Sequence, residues 1–149
     1  MKKALMIGLL FLGFTVNAQQ SSYFTKYRTL ADSLECAYGI PADVMLAVAY
    51  IESGGGTSKV AKNLNNHFGI VGSCNYEVSK YKSRYKYFTS IENSYQGFCN
   101  LVASKKFYTG LKGTTNKDKW VRSIAATGYA ADANLWSNTV IGIIKKYGK

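Results

Sequence analysis

The sequence predicts a mainly α domain with a small β element set into it, an α+β fold, on three observations. Apolar and aromatic residues recur at helical spacing in several separate stretches. One of these, residues 42–53, is apolar on nearly every side, as expected of a helix at the centre of a core. Between residues 68 and 88 the pattern shifts to period two, the signature of a strand.

Taken in order, the first eighteen residues have the organisation of a secretory signal. "MKK" supplies positive charge, "ALMIGLLFLGF" an apolar stretch too short for a comfortable membrane span, and Val16-Asn17-Ala18 a small-residue cleavage site. Residues 1–18 are therefore expected to be removed, leaving 19–149 as one domain exported to the periplasm or beyond. No cysteine lies near the cut, and no later segment is apolar enough to keep the chain in a membrane.

Tyr23, Tyr27, Leu30, Leu34 and Tyr38 mark a first helix, ended by Gly39. Pro41 opens the next, where its missing N–H costs nothing. Gly54-Gly55-Gly56 stops that helix, and "TSKVAKNLNN" predicts a short one capped by Thr57 or Ser58. In "YKSRYKYF", Lys82, Arg84 and Lys86 alternate with Tyr81, Tyr85 and Tyr87. With "CNYEV" before it, this predicts a β element of two or three strands having a basic and an aromatic face. Helix returns from Ser90, with Ile91, Tyr95, Phe98 and Val102 in phase. Phe107 to Gly113 reads as a turn region, "KDKWVRSIAATG" as a helix closed by Gly128, and "NLWSNTVIGIIKKYG" as a last helix burying Trp136, Val140, Ile143, Ile144 and Tyr147. About six helices result, with no repeats and no linker.

A net charge of +11, falling to +9 without Lys2 and Lys3, suits an anionic polymer as partner. No nucleic-acid motif accompanies it, so nucleic acid is not the expected ligand. Cys36, Cys74 and Cys99 permit one disulfide with one thiol left over. CxxC spacing is absent and His67 is the only histidine, so neither a metal site nor another cofactor is expected.

Among eight acids, Glu52 has the most apolar context. It ends the all-apolar helix, where partial desolvation and the negative end of the helix dipole both raise a carboxyl pKa. An acid held protonated near neutrality can give its proton to a leaving alkoxide, the requirement of glycosidic bond cleavage. An exposed helix-end residue with no chemical role is the plain alternative.

Three stretches resemble the glucosaminidase family of peptidoglycan hydrolases, which includes flagellar muramidase-like domains and bacterial autolysins. These are Glu52-Ser53-Gly54 with Gly56, Ser58 and Asn65-Asn66-His67-Phe68-Gly69-Ile70; "YKYFTSIENSYQGF"; and "GYAADANLW", with Gly128, Tyr129, Ala130, Asp132 and Trp136. They occur in family order. The resemblance implies a lysozyme-like fold, with a helical lobe, a small β lobe and a sugar cleft between them. It makes Glu52 the general acid for a β-1,4 bond of the glycan, most simply as an endo-β-N-acetylglucosaminidase. It places Asn66, Phe68 and Gly69 on the cleft floor and Tyr129 facing the cleft as a catalytic residue. Tyr85 and Tyr87 are candidates to stack on sugars, and the neighbouring cations to attract peptide-stem carboxylates. Asp132 joins the substrate-binding set, although its place beside Gly128 and Tyr129 reads better as a turn or helix cap.

Glycosidases usually need a second acid, and Glu77 is the only one in the expected β element. Without it, the substrate's N-acetyl group could act as nucleophile, or one Glu could suffice to release an anhydro sugar. Muramidase or lytic transglycosylase activity on the same fold, and a non-catalytic cell-wall glycan binder, remain alternatives. Gly55, Gln96-Gly97 and Ala131 depart from residues that the family often has. A regulatory or inhibitor protein is a further partner that the sequence does not specify.

Overall fold

The computed structural model describes residues 15–149, and side chains from Ser22 onward. The expected signal segment, 1–18, therefore lies almost wholly outside the described residues.

The helical expectations hold, with two additions. Helix α1 (Thr15–Tyr38) is followed by α2 (Ala42–Ser53), α3 (Lys59–Leu64) and the single turn α4 (Tyr76–Ser79). After these come α5 (Ile91–Ala103), the single turn α6 (Tyr108–Leu111), α7 (Lys117–Ile124), a π-helical turn at Ala125–Tyr129, and α8 (Ala133–Tyr147). Side-chain caps set several starts: Ser58, Ser90, Asn116 and Asp132 each accept an N–H three residues on. Glu35 does the same from a distance, its Oε2 accepting the Ala42 N–H at the positive end of α2.

Helix α2 is the axis of the core. Val44 to Ala49 have no exposed surface. Tyr23, Phe24, Tyr27 and Ala31 of α1 pack around it, as do Phe98 and Val102 of α5, Trp120 and Ile124 of α7, and Val140 and Ile144 of α8. A helix surrounded in this way needs apolar residues on every face, which accounts for its sequence.

The expected β element is not formed. Among the described residues there is no strand, only one antiparallel bridge between Val71 and Tyr85, flanked by Gly72 N–H to Arg84 O and Lys86 N–H to Ile70 O. Two causes are visible. Asn75 and Lys80 adopt left-handed conformations, and "YEVS" between them coils into α4 instead of extending. The hydroxyls of Ser79 and Ser83 take the N–H groups of Tyr81 and Tyr85, which a sheet would need. The alternation itself survives: Lys82, Arg84 and Lys86 are exposed, and Tyr81, Tyr85 and Tyr87 half-buried.

The expected disulfide is also absent, and all three cysteines are free. Cys36 faces solvent, Cys74 lies in the irregular segment, and Cys99 is sealed in the core with its sulfur 3.3 Å from that of Met45. Burial pushes the Cys99 thiol up to about 12. Among the described residues, no helix is long and apolar enough to cross a membrane.

Candidate active site

The site begins with the end of α2. Gly54 takes a left-handed conformation as C-cap, and Gly55 and Gly56 also have positive φ. Three such residues in succession are accessible only to glycine at low cost. The Gly55 N–H reaches back to Tyr50 O, and the Gly56 N–H to the hydroxyl of the buried Ser53. The chain thus turns away sharply and leaves Glu52 beyond the last buried turn.

Glu52 is half-buried. Burial raises its pKa, opposed in part by a hydrogen bond from the Trp136 indole N–H, 2.7 Å from Oε1. No lysine or arginine pairs with it among the described residues. The carboxyl opens onto a concavity of about 300 Å³, whose wall also contains Phe68, Gly69, Val71, Leu101 and Tyr129. Gly69 is tight against the acid: a Cβ there would stand 3.4 Å from Glu52 Oε2 and 4.0 Å from the Tyr85 ring. The ring of Tyr85 neighbours that glycine and is not part of the cavity wall.

The other expected site residues divide into those in the wall and those behind it. Asn66 is 1 % exposed and does not reach the concavity. Its amide nitrogen donates to Ile70 O and Lys86 O, and its oxygen accepts from the N–H groups of Phe68 and Ile70. It shapes the wall by holding the 66–70 turn against the 84–88 segment. The Phe68 ring is buried, stacked on Phe98 at 4.3 Å. Tyr129 projects from the π-helical turn, a local irregularity common at functional sites, and its hydroxyl donates to Phe68 O at 2.6 Å. Burial, with the Glu52 charge nearby, keeps this phenol protonated. Asp132 is exposed and serves as the cap of α8 through Leu135 N–H, in line with the cap alternative.

Glu77 and Tyr87 are not brought to this wall. Glu77 is exposed in the first turn of α4, not on a strand, and Tyr87 is half-buried elsewhere along the 80–88 segment. No second carboxylate lines the concavity.

Sequence reasoning placed Trp136 on the buried face of α8 and missed its bond to Glu52. The available signal was its place at the end of "GYAADANLW". His67, whose role the sequence left open, is buried behind the glycine turn. Its Nδ1 lies 2.6 Å from the Tyr23 hydroxyl, which also meets the Tyr95 hydroxyl at 3.0 Å. Burial, with Lys26 nearby, lowers its pKa to about 4, so it is a neutral packing residue. No group of three or more His, Cys, Asp or Glu side chains among the described residues is arranged to hold a metal ion.

Comparison with known proteins gives these features a setting. A profile of the glucosaminidase family, described as mannosyl-glycoprotein endo-beta-N-acetylglucosaminidase, matches residues 28–149. No curated protein matches the sequence individually. Among solved structures, the catalytic domain of the autolysin Auto from Listeria monocytogenes superposes with a TM-score of 0.71 at 20% identity, covering 94% of this chain and 96% of that one. A type VI secretion system effector–immunity complex from Pseudomonas protegens gives 0.63 at 21% identity, covering 90% and 97%. A peptidoglycan hydrolase from Sphingomonas sp. A1 gives 0.65 at 23% identity, covering 83% and 86%. At these identities the likeness is one of fold.

Proposed function

The chain belongs to the glucosaminidase family of glycoside hydrolases, and from that premise we propose that it cleaves β-1,4 glycosidic bonds of peptidoglycan as an endo-β-N-acetylglucosaminidase, with Glu52 as general acid. One observation carries the assignment: Glu52 is an acid without a cation partner, raised in pKa by burial, with one oxygen held by Trp136 and the other beside Gly69 at the edge of a concavity. The protonated carboxyl gives its proton to the glycosidic oxygen as the C1–O bond breaks, and water supplies a hydroxyl to C1, its other proton restoring the acid form of the enzyme. Similarity in fold to an autolysin and a peptidoglycan hydrolase supports the choice of glycan. The exposed row of Lys82, Arg84 and Lys86 suits its anionic peptide stems. Such a substrate puts the protein's place of action outside the cytoplasm, in keeping with the expected signal segment. A protein inhibitor, as in the effector–immunity neighbour, is a fitting partner.

Purified sacculi test this reading. New reducing N-acetylglucosamine ends are expected, and Glu52→Gln should abolish their release while the protein stays folded. Near-normal cleavage by that variant would overturn the acid assignment. Binding without fragment release by the unaltered protein would overturn the enzymatic one.

The absence of a second carboxylate from the cavity wall favours a second reading of the mechanism. Glu77 is exposed on the 76–79 turn and is not in the cavity wall. The substrate's acetamido oxygen, by contrast, is always at hand as nucleophile. Inversion at C1 that is lost in Glu77→Gln would assign a water-activating role to Glu77, whereas retention that persists in Glu77→Gln would assign the second role to the substrate. An anhydromuramic product would instead identify a lytic transglycosylase.

A further inference from the structure

The indole of Trp136 has a single polar group, an N–H that can only donate. It lies 2.7 Å from Glu52 Oε1. Oε1 is therefore an acceptor whether Glu52 is ionised or protonated. A carbonyl oxygen accepts from an N–H better than a hydroxyl oxygen does, so a proton on this carboxyl is favoured on Oε2, the oxygen that a Cβ on Gly69 would meet at 3.4 Å. Resting on the assignment of Glu52 as general acid, we propose that Trp136 is a positioning residue: its N–H holds Oε1 so that the transferable proton is carried by Oε2, on the Gly69 side.

The surroundings of Trp136 fix it for this task. Its ring is buried and packs 5.4 Å from that of Tyr129. Its own N–H on the backbone bonds to Asp132 O, in the capped first turn of α8. The groups around the carboxyl come from three elements. Trp136 approaches from α8. Tyr129, from the π-helical turn, donates its hydroxyl proton to Phe68 O. Gly69 and Tyr85 belong to the irregular segment, where the exposed Arg84 lies over the Tyr85 ring at 5.2 Å and the exposed Lys86 follows in the chain.

The bond has a sign. A donor to a carboxylate favours its ionised form, so Trp136 works against burial and keeps Glu52 from being too weak an acid. Two effects are then joined in one residue: it selects the oxygen that carries the proton, and it limits how firmly that proton is held.

Trp136→Phe keeps an aromatic ring and removes the N–H. The test is a carbon-13 NMR titration of the Glu52 carboxyl in the whole protein, paired with pH profiles of glycan cleavage. The midpoint of Glu52 should rise in the variant, and the alkaline limb of the profile should rise with it. kcat should fall about tenfold, with KM little changed, because the acid loses its fixed orientation. An unchanged midpoint would overturn the proposal even if activity fell, since loss of packing alone lowers activity without moving that titration. If the Phe variant does not fold, 3-benzothienylalanine at position 136 replaces the N–H with sulfur at nearly the same shape and is read in the same way. The titration reports on this bond whether or not glycan is cut. Retained activity in Glu52→Gln would instead remove the general-acid assignment, so the two failures are distinguishable.

Discussion

Helix α2 carries an acid near each end, and the molecule treats them oppositely. Asp43, in the first turn, is 3 % exposed, yet it meets the Arg28 guanidinium at 2.7 Å, the Lys117 ammonium and the backbone N–H of Lys149. Burial pushes its pKa up, but the bonds and charges of Lys117 and Arg28 together outweigh burial and hold the carboxyl below its usual range. It also sits at the favourable end of the helix dipole. Glu52, at the unfavourable end, has one neutral donor and a raised pKa. Asp43 is thus a permanent anion that ties α1, α2, α7 and the C-terminus together. Glu52 is left able to hold a proton and give it up. What separates a structural acid from a chemical one here is the supply of cations, since both are shielded from water.

The strongest way to break this comparison is to neutralise each acid in turn. Glu52→Gln should lower glycan cleavage by about 10²–10⁴-fold, the usual contribution of a general acid. Its thermal midpoint should be no lower than that of the unaltered protein, because no ion pair is lost. Asp43→Asn should do the reverse. Removing the shared anion leaves Arg28 with only the longer pair to Asp32, and Lys117 with no side-chain carboxylate among the described residues. This costs about 3 kcal/mol, read as a lower denaturant midpoint at unchanged slope. Activity per folded molecule should persist. A stable Asp43→Asn protein, or a Glu52→Gln protein that unfolds early, would erase the distinction.

Gly69 sharpens the comparison at smaller cost. It has φ near 64°, and a Cβ would stand in van der Waals contact with Glu52 Oε2, at 3.4 Å. Gly69→Ala should lose about 1–2 kcal/mol of stability from the left-handed conformation. It should also lower kcat by placing a methyl group at contact distance from the oxygen assigned to carry the proton, whereas a merely strained turn would leave kcat per folded molecule unchanged.

These contrasts were only partly legible in the sequence. The all-round apolarity of residues 44–49 identified α2 as the core helix, and the acid at its end followed. The glycine turn was readable because nothing but glycine suits three positive φ values in a row. The strand was not, since the alternation of residues 81–87 records which side chains face inward and is silent about the serine hydroxyls that divert the backbone N–H groups. Trp136 escaped because its partner is 84 residues away. Asn66 was found by motif, but its four bonds, which make it a strut behind the wall, arise only when residues 68, 70 and 86 converge on it. The expected disulfide fails for a similar reason: cysteine count sets what is permitted, while the fold seals Cys99 against Met45 and leaves Cys36 and Cys74 free.

The smallest effect separates the two acids by pH. Asp43 has a folded pKa below its unfolded value of 3.8, so its contribution to stability is present above that value and lost as pH falls through the depressed folded one. Glu52 has the opposite sign. Its folded pKa lies above the ordinary 4.5, so the folded state binds its proton more tightly than the unfolded chain does. Ionising it in place therefore opposes folding, and this penalty grows as pH rises from about 4.5 through the raised folded value and stays constant beyond it. Glu52→Gln removes the penalty. The variant should gain a small increment of stability over the unaltered protein at pH 7, and the gain should shrink as pH is lowered toward 4. The same titration governs turnover, because a general acid works only while protonated, so cleavage should fall as pH rises through the raised value. Chemical denaturation of both proteins across pH 4–8 checks the stability difference. A gain that instead grew toward low pH would mean that Glu52, like Asp43, is stabilised as an anion, and the contrast between the two ends of α2 would collapse.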